Sequence, residues 1–269
     1  MSTLQAILLG LIQGLTEFLP ISSSGHLALG QHLFRVNDPS VLSFDVYVHF
    51  GTLISVCVIF WRDILEIIRS TWAALVSWRL REAYRTADHV RLGVAILIGS
   101  IPAAVVGLMF RSAIEQAFAD PKQVAVNLVL TGLILFLTRL ARPGEANKLG
   151  IAAGFVVGIA QAVAILPGIS RSGTTMSTAL FLKFPPVLAA RFSFLLSIPV
   201  IAGAALLESK NVVTHGMETG FAPVVFGTIS AAVTGYIAIK LLLRVMEKGK
   251  FSWFAFYCLA LGVAGILFI

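Results

Sequence analysis

The chain has 269 residues, 58% of them hydrophobic and 12% charged, with a mean hydropathy of +0.92. Soluble domains run at about 45–50% apolar and about 25% charged, so this composition excludes a soluble globular protein and reads as an integral membrane protein. The net charge of +7 would suit a nucleic-acid binder, but the basic residues lie between apolar runs and form no basic domain, which excludes that class too.

Taken in chain order, the N-terminal residues Met1 to Gln5 lack the positive n-region of a signal peptide. The apolar stretch that follows is broken by Gln13 and Glu17, so the first segment is expected to belong to the mature fold. Leu4 to Leu19 ends in Pro20 and the polar run Ser22-Ser23-Ser24-Gly25-His26. Such an interruption at membrane depth is tolerated only where backbone is buried in protein or lines a watery cavity, which predicts a re-entrant helical hairpin. Phe44 to Phe60 is the first span. Arg62 to Arg91 then carries Ile64, Ile68, Trp72 and Leu75 at helical spacing, predicting an amphipathic helix that anchors on the cytoplasmic surface. Leu92 to Phe110 and Val124 to Thr138, the latter short but extendable at its N-terminal side, are the second and third spans.

Gly150 to Leu166 ends in Pro167-Gly168 and Ser170-Arg171-Ser172-Gly173, and predicts a second hairpin. Phe192 to Leu207, Phe221 to Ile239 and Phe251 to Ile269 complete the set, a bilayer core taking roughly 20 residues of helix. The expected fold is an all-α integral membrane protein with six transmembrane helices plus two re-entrant helical hairpins, in a single membrane domain over 1–269. Cys57 and Cys258 both fall inside apolar runs, which argues against a disulfide framework and a cysteine metal site.

Basic residues concentrate on one side of this arrangement: between the first two spans (Arg62 to Arg91), after the third (Arg139, Arg142, Lys148), before the fourth (Lys183, Arg191) and between the last two (Lys240 to Lys250). The opposite loops hold Arg35, Arg111, Lys122 and Lys210, so the richer side is expected to be cytoplasmic.

Displacing the chain by 148 residues superimposes the interrupted segments: Gly10 on Gly158, Gln13 on Gln161, Ser22 on Ser170, Ser24 on Ser172, Gly25 on Gly173 and Phe44 on Phe192. Small-residue stripes also recur, Gly99/Ala103/Gly107 and Gly227/Ala231/Gly235, and read as helix-packing faces. Each half, 1–148 and 149–269, holds one hairpin and three spans. An odd number of spans makes the second half enter from the opposite side, so the repeat is inverted, with the two tips meeting at depth.

The tips differ in chemistry. Glu17 coincides with Ile165, Ser23 with Arg171, and His26 with Thr174, so one half supplies an acid and an imidazole and the other a guanidinium. Ionisable residues inside a membrane are costly, and their default reading is functional. Arg171, between Ser170 and Ser172 and followed by Gly173, Thr174 and Thr175, reads as a phosphate cradle built from the Arg fork and the amides of a helix start. The alternative is an ion pair with Glu17 that neutralises both charges. Gln13 and Glu17 share a helical face, and such oxygen ligands suit Mg²⁺ or Ca²⁺ completed by substrate phosphates. For Gln13 the alternative is an interhelical hydrogen bond. His26 reads as a nucleophile or general acid, and Ser22, Ser23 and Ser24 as orienting groups, one of which is a candidate nucleophile. His32, His49, His89 and His215 read as packing residues.

The segments Gln13-Gly14-Leu15-Thr16-Glu17 through His26, and Pro167-Gly168-Ile169-Ser170-Arg171-Ser172-Gly173-Thr174-Thr175, resemble the two signature motifs of the undecaprenyl-pyrophosphate phosphatase family, also known for bacitracin resistance. The similarity spans essentially the whole chain. It implies removal of the terminal phosphate of undecaprenyl pyrophosphate, regenerating the lipid carrier of cell-wall synthesis. A divalent cation, a bacterial inner-membrane location and an active site facing the periplasm come with it. By match of motif, Glu17, Ser23, His26, Ser170, Arg171 and Thr175 inherit functional roles. Many members of the family this chain resembles carry glutamate where it has Gln13, and others carry glutamine; the glutamine leaves one carboxylate fewer for the metal. The expected partners are the lipid substrate, membrane lipids and, as an open alternative, a second copy in a homodimer. The rival reading is a transporter or flippase for a phosphorylated polyprenyl lipid, which an inverted repeat equally suits.

Overall fold

Long runs of Leu, Ile, Val, Ala and Phe leave the backbone no partner in hydrocarbon except itself, and helix is the outcome. The computed structural model describes residues 1–34, 36, 41–118, 120–142, 144, 149–215 and 220–268. Arg35, Lys148 and Ile269 lie outside the described residues, as do the side chains of His32, Lys210 and His215. Among the described residues the regular structure is entirely helical.

Helix α1 (Thr3–Phe18) opens with a capping box, in which Ser2 Oγ accepts from the Gln5 amide and the Gln5 side chain accepts from that of Ser2. After Pro20 and a turn with Ser22 at φ 67°, α2 (Ser23–Leu33) follows. Then come α3 (Val41–Ile59), α4 (Trp61–Val76), α5 (Leu80–Thr86), α6 (Asp88–Met109), α7 (Arg111–Phe118) and α8 (Pro121–Leu137). Asp120 caps α8 by accepting from the amides of Lys122 and Gln123, with Pro121 in the first turn, where its missing N–H costs nothing. The second half holds α9 (Ile151–Val163), α10 (Arg171–Phe181), α11 (Pro186–His215), α12 (Phe221–Glu247) and α13 (Phe254–Phe268).

Among the described residues five helical segments are long and apolar enough to cross a membrane, those of α6, α8, α11, α12 and α13; α3, bent by 77° into α4, makes a sixth if that pair counts as one span. The chain is thus an all-helical, multi-pass membrane protein. The span expected from Val124 does extend N-terminally, to Pro121. The surface helix expected over Arg62 to Arg91 is instead two helices, because the chain breaks at Trp78 (φ 56°), and Asp88 to Arg91 belong to the first turn of α6. Of its apolar stripe, Ile64 packs inward beside Ile67, whereas Ile68, Trp72 and Leu75 stay exposed. An ion pair between Asp63 and Arg191 fastens α4 to α11.

Packing crosses between the halves: α1 lies along α12, α9 lies along α6, and α8 lies along α13. Two glycines bring these backbones into contact. A Cβ at Gly10 would sit 2.2 Å from the Gly227 carbonyl oxygen, and one at Gly158 would sit 2.4 Å from that of Gly99. At Gly107 the nearest neighbour of such a Cβ is Ile165 Cδ1 at 3.9 Å, so this end of the expected stripe is not a close-packing position. The outer faces carry exposed rows, Leu97, Ile101, Val105 and Leu108 on α6 and Ile229, Val233, Ile237 and Leu241 on α12. Contiguous apolar surface of this kind marks contact with lipid.

Candidate active site

The break after α1 and the break after α9 bring two short polar segments together. Pro20 cannot continue α1, and Ser22 adopts the left-handed conformation that costs a non-glycine residue on the order of 1 kcal/mol and clusters at functional sites. On the other side Gly168 takes φ 88°, and a Cβ there would meet the Val124 carbonyl oxygen at 2.3 Å. The carbonyls of this turn are held by α8: Asn127 Nδ2 donates to Pro167 O at 2.7 Å and Thr131 Oγ1 to Gly168 O at 3.0 Å. The tips are tied reciprocally, the Gly168 amide donating to Ser24 Oγ at 3.3 Å and Ser172 Oγ to Leu19 O at 3.1 Å.

Glu17, near the end of α1, is the hub. Its Oε1 accepts from Arg171 Nη2 at 2.5 Å, and its Oε2 accepts from Ser23 Oγ at 2.5 Å and Gln13 Nε2 at 3.0 Å. His49 Nε2, from α3, lies 3.5 Å from the same Oε2. The Glu17 and Arg171 side chains are only 6% and 16% exposed, so this is a buried pair whose partners depend on each other. The ion pair weighed as the alternative for Arg171 is therefore present, and it joins the first motif to the second.

A cavity of about 190 Å³ opens beside the pair. Glu17, Ser22, Ser23, Ser24, Ser170 and Arg171 line it, together with His49, Gln161, Ser197 and an apolar wall that includes Ile165, Ile169 and Val200. The remaining residues expected at the site stand behind or beside this lining. Ser172 bonds Leu19, and Gly173 allows Pro20 close, a Cβ there falling 3.2 Å from Pro20 Cβ. Thr175 Oγ1 shares a 2.6 Å hydrogen bond with Ser193 Oγ and donates to Arg171 O at 2.7 Å, while Arg171 Nη1 donates to Ser193 O at 3.4 Å. Thr174 is buried, with its hydroxyl unpartnered. The start of α10 is partly committed to its own cap, since Ser170 Oγ accepts from the Gly173 amide at 3.1 Å. The guanidinium rather than that amide is the donor presented to a ligand.

His26 stands apart from the lining. Its Nδ1 meets Ser22 O at 2.8 Å and its Nε2 the hydroxyl of Tyr257 on α13 at 2.6 Å. Both Tyr257 and His49 escaped the sequence reading. A lone His or Tyr on an apolar helix carries no local signal that another helix will bring it to a carboxylate or an imidazole.

Gln13 is fully buried, and its Oε1 has no hydrogen-bond partner although its Nε2 serves Glu17. An orphaned buried acceptor costs about 1–3 kcal/mol. In this rotamer Gln13 turns its amide nitrogen, not its oxygen, to Glu17. An amide oxygen and a carboxylate one helical turn apart are ligand types that suit Mg²⁺ or Ca²⁺, and the Gln13 amide would have to turn over to present its oxygen beside Glu17. No group of three or more His, Cys, Asp and Glu side chains able to hold a metal occurs among the described residues, so an ion here would draw further ligands from substrate and water.

The family model described as "Bacitracin resistance protein BacA" matches residues 6–264. A curated relative from Salinibacter ruber, named "Undecaprenyl-diphosphatase", is 41% identical over 264 residues, covering 97% of each chain. A relative of the same name from Thermomicrobium roseum is 44% identical over 279 residues, covering 100% of this chain and 99% of the relative. A third, from Moorella thermoacetica, is 43% identical over 259 residues, covering 96% and 94%. With almost its entire length matched and these identities sustained end to end, the chain belongs to the bacitracin resistance protein BacA family.

Proposed function

We propose that this protein is an undecaprenyl-diphosphatase, a membrane hydrolase that removes the terminal phosphate of undecaprenyl pyrophosphate and returns undecaprenyl phosphate to cell-wall synthesis. The observation that carries the reading is the Glu17–Arg171 pair, made across two motifs far apart in sequence and set in the wall of a serine-lined cavity. An anionic headgroup competes with Glu17 for the guanidinium, whose planar fork matches two phosphate oxygens. Ser23 Oγ already donates to Glu17 Oε2, the relation of a nucleophile to its base. Attack by this hydroxyl on the terminal phosphorus would pass its proton to Glu17 as the phosphoanhydride P–O bond breaks and undecaprenyl phosphate leaves. Once that proton has passed to solvent, Glu17 would deprotonate a water that cleaves the phosphoserine, releasing inorganic phosphate and restoring Ser23. In both steps Arg171 would neutralise the charge spread over the transferred group. Ser22, Ser24 and Ser170 orient the phosphate from the lining. Ser172, Gly173 and Thr175 keep Arg171 and the tip in place, and Thr174, its buried hydroxyl unpartnered, is left as a candidate contact to the phosphate. His26, engaged at both ring nitrogens, positions the turn that presents Ser22 to Ser24.

Glu17 and Gln13 would hold a divalent cation, Mg²⁺ or Ca²⁺. When bound, such an ion supplies charge neutralisation to the phosphates. The architecture we infer is six spans plus two re-entrant hairpins in an inverted repeat. The crossed packing of α1 on α12 and α9 on α6, and the reciprocal ties between the tips, support it. The location is the bacterial inner membrane, with the cavity facing the periplasm, a reading supported by the distribution of basic residues.

The test is purified protein in detergent with undecaprenyl pyrophosphate and Mg²⁺ or Ca²⁺. Release of inorganic phosphate and formation of the lipid monophosphate are expected. Binding of the lipid with no phosphate released would overturn the enzyme reading in favour of a carrier.

A further inference from the structure

Gln161 sits on α9 at the position that coincides with Gln13 when the chain is displaced by 148 residues, yet its surroundings differ. Gln13 gives its amide to Glu17, one turn further along α1. One turn beyond Gln161 the residue is Ile165, which offers nothing polar. Gln161 is 1% exposed, and neither Nε2 nor Oε1 has a hydrogen-bond partner. Its side chain lines the cavity that holds Arg171, Ser170 and Ser197. A buried primary amide with both ends unsatisfied, set in the wall of a polar cavity, is poised for a ligand that enters that cavity.

We propose that Gln161 is a substrate-binding residue, its carboxamide N–H donating to a non-bridging oxygen of the phosphate held by Arg171. This rests on the phosphatase reading above. The amide complements the guanidinium. Arg171 supplies charge, whereas Gln161, on α9, supplies a neutral, directional donor to the cavity that Ser22, Ser23 and Ser24 also line. The ligand chemistry is a phosphoryl oxygen, whether of the lipid diphosphate or of released inorganic phosphate.

The experiment compares wild type with Gln161→Met, which keeps length and volume without the amide, and Gln161→Glu, which keeps shape but repels phosphate. Steady-state hydrolysis of undecaprenyl pyrophosphate, inhibition by inorganic phosphate and thermal unfolding in detergent are measured for each. In Gln161→Met the KM should rise about ten-fold or more with kcat within about two-fold, the pattern of a lost contact made equally in ground and transition states. The unfolding temperature without phosphate should hold or rise, because an unsatisfied buried amide has been removed. A purely structural glutamine would give the reverse, a lower unfolding temperature with KM intact, and that result would overturn the proposal. A matching loss of inhibition by inorganic phosphate is expected, because the contact is to the terminal phosphate held by Arg171; a raised KM with that inhibition unchanged would overturn this placement. If Gln161→Met does not fold, Gln161→Glu decides: a KM raised further than ten-fold supports the proposal, and an unchanged KM refutes it. Should wild type release no phosphate, the phosphatase reading fails separately, and the rise in unfolding temperature caused by inorganic phosphate in wild type, lost in Gln161→Glu, still tests the contact.

Discussion

Replacing Arg171 by methionine leaves Glu17 as a carboxylate 6% exposed without its strongest partner. Breaking a buried ion pair from one side typically destabilises by about 3–5 kcal/mol, because the surviving charge stays desolvated. Ser23 and His49 remain beside Glu17 Oε2 and soften that penalty, which puts the expected loss near the lower end, about 3 kcal/mol. Converting Glu17 to glutamine as well removes the stranded charge. The double variant Glu17→Gln/Arg171→Met should therefore recover most of the loss and lie within about 1 kcal/mol of wild type, a coupling that a double-mutant cycle isolates. Reversible unfolding of the detergent-solubilised protein, titrated with a denaturing detergent and followed by tryptophan fluorescence, reads all four corners of the cycle. If Arg171→Met unfolds at the wild-type midpoint, or if the double variant is no more stable than the single one, the two residues do not form a mutually dependent buried pair.

Valine at Gly10 or Gly158 should prevent accumulation of folded protein, since its Cβ would press on a backbone oxygen at 2.2 or 2.4 Å, whereas Gly107→Ala should be tolerated within about 0.5 kcal/mol; size-exclusion profiles of the three variants check this. Gln13→Glu adds a carboxylate beside Glu17, and charge count tunes affinity at oxygen-ligand sites. The Mg²⁺ or Ca²⁺ concentration giving half-maximal phosphate release should fall by about ten-fold, read from a metal titration after chelation.

The helices were legible because hydrocarbon length and unbroken apolarity are properties of the chain itself, as the agreement over Phe221 to Ile239 and at the N-terminal extension of Val124 illustrates. The two tips were legible because a polar run following an apolar helix has few structural uses. Glu17 and Arg171 stood out because the repeat places each opposite an uncharged residue, Ile165 and Ser23. The rest depended on contacts that local pattern does not encode. His49 reaches Glu17 only because α3 packs against α1. Tyr257 meets His26 from 231 residues away. The break at Trp78 follows from one residue's left-handed conformation inside an otherwise continuous amphipathic pattern. The cradle of amides expected at the start of α10 is partly consumed by the Ser170 cap, a competition visible only once the helix start is placed.

At the centre of the proposed function, the carboxylate of Glu17 at the end of α1 and the guanidinium of Arg171 at the start of α10 act together on one diphosphate. Single-turnover phosphate release from undecaprenyl pyrophosphate, compared among wild type, Glu17→Gln and Arg171→Met at saturating divalent cation, tests it most directly. Rapid release by wild type and a loss of at least about a thousand-fold in each variant is the predicted result, in keeping with groups that act on charge developed in the transition state. Release at the wild-type rate by either variant would contradict it.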